Sequence, residues 1–353
     1  MHYLYIASMS GFSGKSLITL GLGLLLRERG LSIGYIKPYG TIPLKQDGRI
    51  IDADAEFMRK ALGISEPPEV VSPFVVTLEC WNDLLKGLPS DRFDEIKKAL
   101  AEITGKDVVL VGGGADLYEG ATLGVNSLKL IRHLDAQALV VEPWSGDRSL
   151  DSLAGAKELL GDNLMGVVIN KVPQTAHDYV KNSVRPFLEK RGIPVYAALH
   201  RDILLDSITV RQLNEILGGK VICGEEGLDE FIDAFSIGAM DVDSALKYFK
   251  RTPNKAVITG AHRSDIQIAA LETSTKCIIL TGGLYTNEVI VSKAKLAGTP
   301  IISVHVDTYA TVEKIEAVLG KIRIREQKKV TKTKEIMGKE FDVNRLLAGL
   351  KLR

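Results

Sequence analysis

Residues Met9–Leu22 read MSGFSGKSLITLGL and follow a short apolar run, His2–Ser8 (HYLYIAS). A strand that enters a glycine-containing loop ending in Gly-Lys-Ser, and then an apolar helix, is the setting of a phosphate-binding loop. In that setting Gly14 lets the backbone approach a ligand closely, and Lys15 brings a cation to the outer phosphates. Backbone N–H groups across Gly11, Phe12, Ser13, Gly14, Lys15, Ser16 and Leu17 can face phosphate oxygens. The Ser16 hydroxyl suits Mg²⁺, which favours hard oxygen ligands. One departure stands out: Met9 occupies the position where G-x-x-x-x-G-K-S has its first glycine. A glycine turn with a surface lysine is the plain alternative.

Working outward, apolar runs of strand length alternate with helical patterns. The runs are His2–Ser8, Ser32–Pro38, Asp107–Gly113, Gln137–Pro143, Leu164–Asn170 and Ile193–Leu199. They are continuously apolar, as parallel strands covered on both faces must be. Helical segments lie between them, at Leu17–Arg29, Phe93–Ile103, Ser149–Leu160 and His177–Arg191. The pattern predicts a doubly wound, mostly parallel α/β sheet. Around Asp202–Lys220 the rhythm breaks at a helix, DSITVRQLNEILGG, with Asp or Ser near its start and glycine at its end. Beyond it lies a second, smaller α/β series, with strands Lys255–Gly260, Lys276–Gly283 and Thr299–Val304. The expected domains are residues 1–203, residues 204–320 and a basic tail, 321–353, ending in a docking helix (FDVNRLLAGL).

The 353 residues carry a net charge of +1 and are 45% hydrophobic. That length can bury two cores. Near-neutral charge gives no general nucleic-acid or membrane footprint. Only Lys321–Lys334 (KIRIREQKKVTKTK) is strongly basic, which reads as a solvated tail or connector. No apolar run reaches the ~18 residues of a membrane span. The N-terminus lacks the basic start of a signal peptide. Cys80, Cys223 and Cys277 are far apart with no C-x-x-C, which reads as reduced thiols in a cytoplasmic protein.

The loop also points to a family. Partition-type ATPases carry a second lysine four residues before the last loop glycine, where this chain has Ser10. The loop instead resembles that of dethiobiotin synthetase, and especially the similar domain that precedes phosphotransacetylase in long bacterial enzymes. Three further strings carry the resemblance: GYIKPYG with Lys37, IDADAEFM with Asp54, and GVVINKV with Asn170 and Lys171. The resemblance implies that Lys37 orients a carboxylate or carbamate substrate, that Asp54 joins Ser16 at Mg²⁺, and that Asn170, with Lys171 alongside, meets the adenine edge of ATP. Lys15 and Lys37 are the catalytic candidates. Each residue also has a plain reading: a strand-end lysine, a first-turn helix acid, a turn asparagine. The third strand departs from the family. Its acidic metal ligand is replaced by Gly112 in VLVGGGADLYEG, where Asp116 or Glu119 is the nearest substitute.

The second series resembles the domain named for an Asp-Arg-Thr-Gly-Gly string, over Ile208–Ile315, in ITGAHRSDIQIAALE and IILTGG. The string is altered, since His262 takes its first acidic position. A helix starting at Ser264 or Asp265 can receive an anion or simply be capped. The resemblance implies a regulatory domain with a small-molecule effector.

These readings together predict a cytoplasmic ATP- and Mg²⁺-binding protein with a regulatory or sensing role, linked to acetate or acetyl-phosphate metabolism. Acetyl transfer is not expected from these residues. The competing expectation is an ATP-dependent ligase or carboxylase-like enzyme, or a weak ATPase. No nucleic-acid or membrane partner is expected, and a homodimer is carried over from the dethiobiotin synthetases.

Overall fold

The apolar runs of the N-terminal half form one sheet because each is covered on both faces. The computed structural model describes residues 1–352 apart from 89–90, 284–285 and 320–325. Six strands, β1 (His2–Ala7), β2 (Ile33–Ile36), β3 (Val108–Gly112), β4 (Gln137–Pro143), β5 (Leu164–Val172) and β6 (Val195–His200), pair in the order β2-β3-β1-β4-β5-β6. All the pairs are parallel. β1 is central, and its neighbours β3 and β4 come from opposite directions along the sheet. The crevice at such a switch point, beyond the carboxyl ends of the strands, is where ligands bind in open α/β sheets. Helices α1 (Lys15–Glu28), α2 (Ala53–Ala61) and α3 (Arg148–Leu160) connect the strands.

The chain divides into two units. The first holds Met1–Arg201 and the C-terminal helices; the second begins at Asp202. In the second unit, β7 (Lys220–Cys223), β8 (Ala234–Ile237), β9 (Lys255–Gly260), β10 (Thr275–Thr281) and β11 (Ile301–Ser303) pair in the order β7-β11-β10-β9-β8. Only β7–β11 is antiparallel among these pairs. Alternation along β10 separates two cores. Ile278 and Leu280 face one cluster, and Cys277 and Ile279 face the other. Helices α4 (Val242–Arg251), α5 (Ser264–Leu271), α6 (Glu288–Leu296) and α7 (Thr308–Leu319) belong to this unit.

The structure departs from the sequence reading at four places. The helix expected from Asp206 or Ser207 begins at Val210, because Thr209 and Gln212 form a reciprocal capping box there. The segment His177–Lys190 is helical but carries a π turn at Val180–Val184. A hairpin, Pro43–Gln46 with Arg49–Asp52, sits before α2; its turn is Asp47-Gly48, both at positive φ.

The fourth departure is the basic tail. Lys321–Arg325 lie outside the described residues. Beyond them the basic stretch runs into a helix, α8 (Gln327–Glu340), instead of a solvated tail, and a second helix, α9 (Val343–Gly349), lies within the expected FDVNRLLAGL segment. Lys329, Thr333, Ile336 and Met337 of α8 are buried. Their spacing is that of one helical face. That face meets α1, where a Cβ on Gly21 would come within 3.3 Å of both Thr333 and Met337. At α9 Arg345 clamps Glu189 through both guanidinium nitrogens, at 2.6 and 2.8 Å, and Phe341 stacks on Tyr196 of β6.

Candidate functional site

Ser8–Gly14 join the carboxyl end of β1 to the start of α1. Gly14 sits at φ 94°, and no side chain caps the helix. No acidic residue lies in its first turn. The first N–H groups of α1 therefore have no side-chain acceptor, the condition for receiving an anion. Phe12 is half exposed and stands at φ 59°, a conformation that non-glycine side chains rarely hold. Such outliers concentrate at functional loops. A Cβ on Gly11 would meet nothing within 4 Å, so the loop is open there.

The Lys15 ammonium is folded back into the loop. It donates to Ser8 Oγ at 2.5 Å, to the Ala115 carbonyl at 3.0 Å and to Ser13 Oγ at 3.4 Å. Burial pulls its pKa down from the ordinary lysine value to about 8, against the carboxylates of Glu119, Asp116 and Glu142. Ser13 and Ser8 are buried.

Asn170 at the end of β5 reaches the loop directly: its Nδ2 donates to the Ser13 carbonyl at 2.9 Å. A Cβ on Gly14 would lie 2.1 Å from that nitrogen. Glycine is therefore required at 14 by φ and by space at once. The expected partner of Asn170 is a base edge; its amide nitrogen is spent here on the phosphate-loop backbone. Lys171 follows at φ 56°, at a bulge where β5 shifts register against β6. Beside it the Trp144 backbone N–H donates to the Asn170 carbonyl at 2.8 Å, and the Trp144 ring meets Tyr179 edge-on at 6.2 Å.

Lys37, just past β2, donates to Asp52 Oδ1 at 2.8 Å and lies 4.0 Å from Asp54 Oδ2. Asp52, which the sequence reading passed over, is fully buried. Its carboxylate accepts the amides of Asp54 and Ala55 on one oxygen and those of Thr41 and Ile42 on the other. Burial pushes this carboxyl up, but Lys37 and the amides outweigh it and hold the pKa below the usual range. The signal was IDADAE, an aspartate one residue before a helix. Asp52 positions Lys37 and the Asp54 backbone together.

The loop after β3 closes the site. The Gly113 N–H donates to the Ile6 carbonyl at 3.0 Å, and a Cβ on Gly113 would lie 2.7 Å from that oxygen. Glu119 accepts the Ala115 amide, and Asp116 Oδ1 accepts the amides of Tyr118 and Glu119 at 2.7 and 2.8 Å. Glu142, also missed, is buried near the end of β4, and its Oε2 has no hydrogen-bond partner. Burial raises its pKa, with the Ser152 hydroxyl and Lys15 pulling the other way. The donors fit a hard divalent cation. Ser16 is exposed, the Asp54 side chain is one-quarter exposed, and Glu142 Oε2 is an orphaned carboxylate oxygen. Among the described residues, no cluster of three or more His, Cys, Asp or Glu forms an all-protein metal cage.

In the second unit Arg263, at the turn before α5, is paired with Asp265 and donates to the Met240 carbonyl. Gln267 Nε2 donates to the carbonyls of Gly260 and Ala261, tying that turn to α5. Among the described residues, no helix is long and apolar enough to cross a membrane.

Known proteins resemble this chain in two blocks. A family model described as an AAA domain matches residues 2–209, and one described as a DRTGG domain matches residues 212–318. The phosphate acetyltransferase of Nitratidesulfovibrio vulgaris is 23% identical over 97% of the chain and 51% of the relative. The phosphate acetyltransferase of Pseudomonas putida is 22% identical over the same shares. The chain thus spans about half the length of these curated relatives. The protein YtoI of Bacillus subtilis is 27% identical over 33% of the chain and 25% of its own length. Among solved structures, the cell division ATPase MinD of Pyrococcus furiosus matches with TM-score 0.37 and 17% identity, over 58% of the chain and 85% of its own. The CBS and DRTGG regulatory region of the Clostridium perfringens pyrophosphatase, complexed with diadenosine tetraphosphate, matches with TM-score 0.29 and 17% identity, over 53% of the chain and 82% of its own.

Proposed function

Because this chain belongs to the AAA domain family, as a dethiobiotin-synthetase-like phosphate-loop domain followed by a DRTGG domain, we propose that it binds ATP with Mg²⁺ and acts as a regulatory or sensing protein. The observation that carries the reading is the loop itself: uncapped α1, Gly14 at φ 94°, and Lys15 half-buried among backbone and hydroxyl acceptors. Lys15 would leave Ser8 and Ala115 to meet the outer phosphates. Ser16 and Asp54 would hold the cation, which supplies charge neutralisation at the phosphates. The second unit would take a small-molecule effector. Similarity to phosphate acetyltransferases supports a link to acetate or acetyl-phosphate metabolism, in the cytoplasm, where the three free thiols stay reduced. A homodimer belongs to the same proposal.

The alternative, an ATP-dependent ligase or carboxylase-like enzyme, has weaker support. Lys37, its substrate-orienting group, is held by Asp52 at 2.8 Å, and position 112 has no carboxylate. The two readings separate by turnover. A regulatory protein binds ATP·Mg²⁺ in a calorimetric titration and releases phosphate slowly or not at all. Rapid phosphate release with a small carboxylate or diamine would favour the ligase.

A further inference from the structure

We propose that Glu142 is the carboxylate that holds the divalent cation of the phosphate loop, directly or through one of its waters, in place of the side chain that Gly112 lacks. The inference rests on the nucleotide-site reading above.

Position 112 is crowded for a side chain. A Cβ there would lie 3.0 Å from the Tyr35 hydroxyl, tighter than an ordinary contact, so Tyr35 would have to shift by a few tenths of an ångström. The two acids of the following loop each spend one oxygen on backbone amides, Glu119 on Ala115 and Asp116 on Tyr118 and Glu119. The third carboxylate that acts on Lys15 is Glu142. It is only 5% exposed, and although the Ser152 hydroxyl engages the carboxylate, Oε2 has no partner. Leaving a buried acceptor unsatisfied is costly, more so when it is charged. A carboxylate in that condition is matched by a hard cation or a cation-bound water.

The strand register places Glu142 beside the loop rather than elsewhere on the sheet. β4 runs next to β1, with Val140 opposite Ala7, so Glu142 stands two residues further on, level with the loop. On its other side Glu142 is opposite Ile169 and Pro143 is opposite Asn170, the residue whose amide holds Ser13. The backbone is fixed there. The Pro143 carbonyl accepts Ser149 Oγ at 3.1 Å, and the Trp144 backbone N–H is bonded to Asn170. The carboxylate is thus presented from a rigid strand end across β1 from the Lys37–Asp52–Asp54 group.

The test uses the full chain, a non-hydrolysable ATP analogue, and Mn²⁺ followed by its electron paramagnetic resonance signal. Glu142→Gln is expected to weaken Mn²⁺ in the ternary complex by about tenfold or more. Analogue binding in EDTA should be unchanged. Glu142→Asp, which keeps a carboxylate, should recover part of the affinity. Without metal or nucleotide, Glu142→Gln should melt at or above the parent's temperature, because it removes a buried acid whose Oε2 has no partner while its amide can still accept the Ser152 hydroxyl. Parental Mn²⁺ affinity in Glu142→Gln overturns the inference and leaves the nucleotide site standing. Melting well below the parent also overturns it, since the carboxylate would then be structural. Failure of the parent itself to bind the analogue overturns both readings.

Discussion

The side-chain amide of Asn170 donates to the backbone carbonyl of Ser13 at 2.9 Å, tying the end of β5 to the phosphate loop. The bond spans 157 positions of sequence and sits where a Gly14 side chain would otherwise be. It makes the loop's shape depend on a strand two places away in the sheet.

Asn170→Ala is therefore expected to weaken ATP and GTP alike, by about 1–2 kcal/mol, as a lost buried hydrogen bond would. Calorimetric titration with both nucleotides checks this. A loss confined to one of them would make Asn170 a reader of the base instead of a brace for the loop.

Lys15 gives the site a pH dependence. With its pKa lowered to about 8, the ammonium of the free protein is present below that pH and is lost above it. Polyphosphate favours the charged form, so binding takes up a proton near pH 8 and weakens as pH rises further. Titrations in buffers of different ionisation enthalpy measure the uptake directly. A flat profile across pH 8 would mean that the lysine is not buried in the loop.

Lys255 supplies a stability prediction for the second unit. It is fully buried, donates to Thr273 Oγ1 at 2.9 Å and to the Ser274 carbonyl at 3.1 Å, and lies 5.2 Å from the Phe249 ring centre. Burial pulls its pKa to about 8, below the unfolded value of 10.5. Between those values the unfolded chain binds more protons than the folded one. This group's contribution to stability therefore rises with pH through the window. In urea unfolding, Lys255→Met should lose part of that rise while keeping the fold. An identical pH slope in parent and variant would contradict the assignment.

The contact of α8 with α1 gives a second stability test. Met337 is fully buried there, and Met337→Ala should cost ~2–5 kcal/mol in urea unfolding of the first unit. A loss under about 0.5 kcal/mol, typical of surface changes, would mean that α8 does not cover α1 in solution.

Why α8 escaped the sequence reading, while the helix at FDVNRLLAGL did not, is visible in those residues. The face of α8 that meets α1 includes Lys329 and Thr333 as well as Ile336 and Met337, so its apolar signal is diluted by a lysine whose stem is buried. The strands of the first unit were legible for the opposite reason. Val108–Gly112 and, within Leu164–Val172, the stretch Leu164–Ile169 are covered on both faces and read as unbroken apolar runs. The hairpin before α2 had a legible turn, Asp47-Gly48, but its arms are mostly exposed and carry no apolar pattern. At the site, Gly14 and Lys15 were legible because the loop's chemistry is local in sequence. Asp52 and Glu142 were not, because each is a lone acid at an element's end, and only the fold places it against a lysine or leaves its oxygen without a partner. Gly112 was read as a missing ligand; the Tyr35 hydroxyl, 3.0 Å from where its Cβ would lie, crowds any larger residue there.

Binding of ATP·Mg²⁺ by the full chain and by Lys15→Ala, compared by calorimetry, tests the central claim most directly. The parent should bind, and the variant should bind at least about tenfold more weakly, a difference of ~1.4 kcal/mol. Equal affinity in the two proteins, or no binding by the parent, would contradict the account.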